Sequence, residues 1–321
     1  MLNVIFTVDV EIWCDGWTDL DKRFPTAFQQ YIFGRTPRGN FGLPYQLAML
    51  KDHGLSGVFF VEPLFSTRFG RQPLADILGL INAAHQEVQL HLHTEWVDES
   101  RIPLLQGVQS KRQHLRQYSI DEQTILIAKG ARLLIEAGAP GIEAFRAGSF
   151  AFNRDTLKAL GACGIFVDSS YNASQFGLDS GVLPGQIIVE PIECDHVREY
   201  PMTVFRDGTR SLRHTQLTAC SYREMEGLLW RALEMRRNSF VILSHNFELL
   251  NPTKDRPDDV VVKRFHQLCA FLDKNRDSFH TTGFQRLKAS KFDKTQPPPL
   301  VSPVWKTGAR MVEQAYRLRY R

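Results

Sequence analysis

Short, almost wholly apolar runs recur along the chain and alternate with longer stretches of helical periodicity. The runs predict buried strands at residues 3–8, 57–61, 88–93, 142–146, 164–167, 187–189 and 240–245. Helical spacing of apolar positions predicts helices near 44–52, 74–84, 121–137, 154–160, 222–235 and 258–273. The clearest is 121–137, with Asp121 as its cap, Ile125, Ala128, Ala131 and Leu134 or Ile135 as its apolar stripe, and Gly138 with Pro140 ending it. Strand–helix alternation of this kind predicts a parallel sheet or an α/β barrel. No repeat recurs at the periods of about 20–50 residues that mark solenoids.

Composition adds bounds. The 321 residues are 43% hydrophobic and 23% charged, enough for a large core, which excludes a disordered chain or a disulfide miniprotein. No run approaches the ~18 apolar residues of a membrane span. Five scattered cysteines without a CxxC pair fit reduced thiols. The net charge of +4 hides an asymmetry. Residues 286–321 hold nine Lys/Arg against Asp293 and Glu313, a net +7, which leaves −3 for the remainder. Pro297, Pro298, Pro299 and Pro303 separate the two regions. The expected organisation is one domain over 1–290 and a basic tail over 291–321. In that tail a helix would put Ala309, Val312 and Tyr316 on one face and Arg310, Arg317 and Arg321 on its neighbour. The tail is expected either to pack on the body or to be drawn to an anionic membrane surface; no nucleic-acid motif is present. A strand begins at the second residue, so a cleaved secretory signal would remove it together with the acids that follow. The expected location is cytoplasmic, with peripheral contact at the inner face of a membrane.

The candidate chemistry sits where strands end. Asp9 and Glu11 are same-side neighbours if the first strand runs through them, and either carboxylate could bind metal while the other serves as base. His91 and His93 are again same-side neighbours, and two histidines with a carboxylate form an open hydrolytic Zn²⁺ site; Glu95 is a further candidate ligand. Arg146 can hold a carboxylate in a bidentate grip. Asp168 ends the next strand, and His245, closing a very apolar one, suits a general acid. Functional groups at several strand ends are the pattern of α/β barrel enzymes. The long link over residues 12–41, with Trp13, Trp17, Arg23, Tyr31 and Phe33, is either a wall of a sugar-binding groove or a self-packed insertion.

In order and placement these motifs resemble the polysaccharide deacetylase superfamily, the NodB-homology or carbohydrate esterase family 4 group. The likeness spans residues 3–283. It implies an irregular (β/α) barrel of seven or eight strands and a hydrolase that removes N-acetyl groups from a carbohydrate. By that likeness Asp9 is the general base, His245 the general acid, Arg146 braces Asp9, and Asp168 orients His245. Glu11, His91 and His93 would hold a divalent metal, zinc above cobalt, nickel or manganese. Trp13, Trp17 and Phe150 would face the sugar. The substrate would be a nucleotide- or lipid-linked precursor of a surface polysaccharide such as O-antigen. Three departures from the family pattern stand out: the acids are Asp9-Val10-Glu11 rather than adjacent, the histidines are two residues apart rather than four, and Gly148-Ser149-Phe150 replaces a proline- and tyrosine-bearing motif. Two other readings stay open, a metal-independent hydrolase of cyclic amides and a carbohydrate-binding barrel without catalysis. A glycosidase fits poorly, because neighbours at i and i+2 lie on one side of the substrate instead of flanking the bond.

Overall fold

The computed structural model describes residues 1–107, 110–287 and 295–319. The expected boundary at 290/291, with Lys288, Lys291, Asp293 and Lys294, lies outside the described residues, as do Tyr320 and Arg321. Strands in chain order are β1 (Leu2–Val10), β2 (Arg35–Thr36), β3 (Gly39–Asn40), β4 (Gly57–Val61), β5 (Glu87–Leu92), β6 (Ala144–Ala147), β7 (Val167–Asp168), β8 (Ile192–Cys194), β9 (Val197–Glu199), β10 (Val204–Arg206), β11 (Leu212–His214), β12 (Ser239–His245), β13 (Phe279–Thr281) and β14 (Leu300–Val301). Helices are α1 (Leu20–Phe28), α2 (Leu43–Asp52), α3 (Ser66–Phe69), α4 (Arg71–Ala83), α5 (Ile120–Glu136), α6 (Arg154–Ala162), α7 (Tyr222–Glu234), α8 (Asp259–Lys274) and α9 (Val304–Arg319).

These elements form two compact units, each assembled from separate stretches of chain. The first comprises Met1–Gly57, Thr203–Gly283 and Pro298–Arg321; the second, Val58–Met202 and Phe284–Pro297. In the first unit β1 lies between β12 and β13, parallel to both, with Asp9 opposite His245. Val4, Ile5, Phe6 and Val8 of β1 and Phe240–Leu243 of β12 are fully buried, as an all-apolar parallel strand requires. A small sheet in the order β11-β10-β14 lies in the same unit. In the second unit β4, β5, β6, β7 and β9 follow one another in parallel, and β8 closes antiparallel on β9.

Several expectations shift. Residues 187–189 form no strand. The amides of Val189 and Glu190 donate instead to Oε1 of Gln296, so their hydrogen bonds are met by a side chain rather than a ladder. Helix α5 starts one residue earlier than predicted and is capped by Ser119, whose hydroxyl accepts from the Glu122 amide while the Glu122 carboxylate accepts from the Ser119 amide. Its buried face is Gln123, Leu126, Ile127, Gly130 and Leu134, and Ile125 and Ile135 are half exposed. Gly130 sets this rotation. A Cβ there would meet Leu92 Cδ2 at 2.9 Å and Leu90 Cδ1 at 3.0 Å, so the helix seats its smallest residue against β5.

The link over 12–41 packs on itself and on the segment after β12. Leu20, Phe24 and Phe28 of α1 are buried, Phe24 and Phe28 have ring centroids 5.8 Å apart, and Tyr31 meets Phe247 edge to face at 5.1 Å. The tail helix packs on the body through its basic face. Arg310 and Arg317 point to the body and Val312 and Tyr316 to solvent, because acids wait on the body. Arg310 pairs with Asp207 (2.9 Å) and Glu224 (3.3 Å), Arg317 with Asp258 (2.7 Å), and Glu313 with Arg264 (2.6 Å).

Candidate functional site

In the first unit the chemistry gathers where β1 and β12 run out together. Register places Asp9 beside His245, and period-two alternation returns Glu11 to the same side. Single ligand atoms of Asp9, Glu11 and His245 lie within 4.8 Å of one another. Asn246 fixes this end of the strand pair. Its side chain accepts from the Glu11 amide (2.9 Å) and donates to the carbonyls of Glu11 (3.1 Å) and Tyr31 (2.7 Å). The indole of Trp13 donates to Glu11 Oε2 at 2.8 Å, and Glu11 Oε1 lies 4.0 Å from His245 Nε2. Trp13 therefore orients a carboxylate, and its ring meets Trp17 edge to face at 6.0 Å.

The other nitrogen of His245, Nδ1, faces Glu248 Oε1 at 3.4 Å. Glu248 is itself held by Thr218 (2.9 Å) and Gln216, whose strand-like segment lies alongside β12. Burial disfavours the charged imidazole. The hydrogen bond to Glu248 and the charges of Glu11, Glu248 and Asp9 outweigh it and push His245 up to about 9. That direction suits His245 to giving a proton. Asp168, the residue expected to orient it, has its described partners elsewhere.

In the second unit His91 and His93 extend from β5 with ring centroids 4.8 Å apart. Register sets His91 opposite Arg146, and Nδ1 of His91 donates to the Arg146 carbonyl at 2.8 Å. Nδ1 of His93 lies 3.2 Å from Glu95 Oε2. Hydrogen bonds at Nδ1 of this kind orient the rings of metal-ligating histidines. Glu95 fits as the residue that steadies His93. Gly148 makes room for this, since a Cβ there would lie 2.7 Å from the Leu92 carbonyl oxygen and 2.8 Å from His93 Nδ1. Beyond it Ser149 (φ 55) and Phe150 (φ 57) are both left-handed, a costly conformation for two consecutive side chains.

Arg146 is fully buried. It donates through Nε to the Ser169 carbonyl and through Nη2 to the Ser169 hydroxyl, both at 3.1 Å, and its guanidinium lies 4.3 Å from the centre of the Phe60 ring. Asp168 and Glu199 face each other on β7 and β9. Asp168 accepts from the Ser170 hydroxyl at 2.6 Å. Burial raises both carboxyls, and the neighbouring Asp168 charge raises Glu199 further, well above the usual carboxylate range.

Three acids escaped the sequence reading. Glu199 sits on a three-residue strand with no apolar run to announce it. Glu248 lies one turn past His245. Glu62 directly follows the apolar run of β4, the same strand-end signature that marks Asp9 and Asp168, and was legible. It accepts from the Leu64 (2.8 Å) and Phe65 (3.3 Å) amides, and burial raises it to about 8 against those hydrogen bonds and the charge of His93.

No protein-family model and no curated protein matches the chain. Solved structures do. A protein of Mycobacterium smegmatis assigned as a polysaccharide deacetylase is 17% identical with a TM-score of 0.58, over 92% of this chain and 94% of that one. A family 4 carbohydrate esterase of Streptomyces lividans, solved with acetate, is 13% identical with a TM-score of 0.44, over 91% and 98%. A family 4 pseudoenzyme of Bacillus anthracis is 15% identical with a TM-score of 0.42, over 86% and 62%. The first of these shows the fold: this chain shares the α/β architecture of that protein assigned as a polysaccharide deacetylase. Among the described residues, no helix is long and apolar enough to cross a membrane.

Proposed function

We propose that the protein is a metal-dependent hydrolase that removes N-acetyl groups from a carbohydrate. The observation that carries this reading is the triad of buried Asp9, buried Glu11 and half-buried His245, whose ligand atoms lie within 4.8 Å of one another, with the carboxylates favouring the charged imidazole. Glu11, His91 and His93 are the proposed ligands of one divalent cation. Two imidazoles, each held through Nδ1, and a carboxylate are a zinc-type donor set. Such a cation, when bound, polarises a carbonyl oxygen and makes water more acidic. Asp9 takes the proton of the attacking water. Arg146 braces Asp9 in its ionised form, and Asp168 serves behind Arg146. His245 delivers a proton to the departing nitrogen, steadied by Glu248, so that acetate and an amino sugar leave. Trp17 and Phe150 are proposed to flank the sugar, with Trp13 holding Glu11. The proposed substrate is a nucleotide- or lipid-linked precursor of a surface polysaccharide, such as O-antigen, met in the cytoplasm.

Purified protein reloaded with zinc, cobalt, nickel or manganese after chelation, and assayed for acetate release from N-acetylated sugars, tests this. Activity that disappears with the metal and in Asp9→Asn supports the assignment. Full activity after chelation gives the metal-independent alternative. Sugar binding without acetate under every metal gives the non-catalytic one.

A further inference from the structure

Helix α9 carries its charges inward and its apolar side chains outward, the reverse of an ordinary surface helix. Arg310 and the Thr307 side chain are buried, and Glu313 and Arg317 are tied to Arg264 and Asp258. On the open side Val304 is 71% exposed, Trp305 61%, Met311 55%, Val312 72% and Tyr316 56%, with Gly308 and Ala315 between them. Val301, 61% exposed on β14, extends the stripe. A soluble surface rarely leaves so many large apolar groups contiguous without a use.

Charge decides which use. Among the described residues the stripe contains no carboxylate, and basic residues stand at its start. At its start, Arg206 pairs in register with Val301, and Arg210 sits in the β10–β11 turn; both are exposed. That turn abuts the helix directly, since the Gly208 amide donates to the Thr307 hydroxyl at 2.8 Å. Asp258 and Asp259, which line the groove beside Tyr316, are paired with Arg317 and Arg38.

We propose that α9 is an interfacial membrane anchor: it lies in the headgroup region of an anionic bilayer, with Val304, Trp305, Met311, Val312 and Tyr316 inserted and Arg206 and Arg210 on the phosphates. Interfacial helices use this combination of an inserted apolar face, Trp and Tyr at headgroup depth, and flanking cations. The expected charge attraction of the tail is thereby reassigned. Arg310 and Arg317 are spent on the body, and the apolar side makes the contact. The proposal is independent of the chemistry at Asp9.

Flotation of the full chain with vesicles tests it, comparing pure phosphatidylcholine with equal parts phosphatidylcholine and phosphatidylglycerol. The intact protein floats with the anionic vesicles and not with the neutral ones. Trp305→Glu with Val312→Glu, at positions exposed enough not to disturb folding, lowers binding by more than about tenfold. Arg206→Ser with Arg210→Ser lowers it by about fivefold per residue at low salt, with thermal melting unchanged in both variants. Failure to float, or flotation unmoved by the first variant, overturns the proposal. A concentration-dependent dimer in sedimentation that Trp305→Glu with Val312→Glu abolishes also overturns it, in favour of a second copy.

Discussion

The proton chemistry of His245 is set by its neighbours rather than by the imidazole itself. Burial alone would discharge the ring, and three carboxylates reverse that. The native state therefore binds a proton that the unfolded chain, with a histidine near 6.5, has released. This stabilisation is fully present below about pH 6.5 and lost as pH rises toward 9. Metal-stripped protein should show a melting temperature that falls between pH 7 and 9, and His245→Gln should flatten that slope. Replacing Glu248 with Gln removes a hydrogen-bonded anion from Nδ1. It should lower kcat by about 10–100-fold, with KM little changed, a split readable in steady-state kinetics. Gly148→Ala tests the histidine pair separately. The new methyl would crowd His93 Nδ1, and zinc affinity by competition titration should fall at least about tenfold while the fold survives. The polar residues that close apolar runs, from Asp9 to His245, were legible because a charge at such a position has no packing reason to be there. Glu248 was not, because a turn residue leaves no periodicity.

Elements were readable where burial and local chemistry agree. β1, β4 and β12 follow directly from unbroken apolar runs, and α7 and α8 from their spacing. The rotation of α5 was not readable, since two apolar stripes compete along it and only the clearance at Gly130 chooses between them. Its cap was ambiguous for a similar reason, with Ser119 and Asp121 both acceptable cap residues. Ser119→Ala should cost about 1 kcal/mol in chemical denaturation. Asp121→Ala should cost a few tenths, through the helix dipole alone. The segment at 187–189 looks like a strand in sequence and is not one, because Gln296, more than a hundred positions away, answers its amides.

For the whole molecule, the deacetylase architecture was accessible from the order of motifs along the chain, while the two-unit partition and the inward charges of α9 were not. Both depend on contacts between distant residues. Arg310 is the clearest case. Its removal strands Asp207 and Glu224 in the interior, and Arg310→Ala should destabilise the protein by about 3–5 kcal/mol in denaturant unfolding. The register of β1 on β12 has a longer reach. Because Asp9 and His245 are rungs of one ladder, the backbone spacing between the proposed proton acceptor and donor is set by the roughly 4.8 Å pitch of a sheet, not by any loop. Apart from Trp13 and Tyr31, which hold Glu11 and Asn246, residues 12–41 can be rewritten without retuning that gap. Specificity is free to drift in such a scaffold while its reaction stays put.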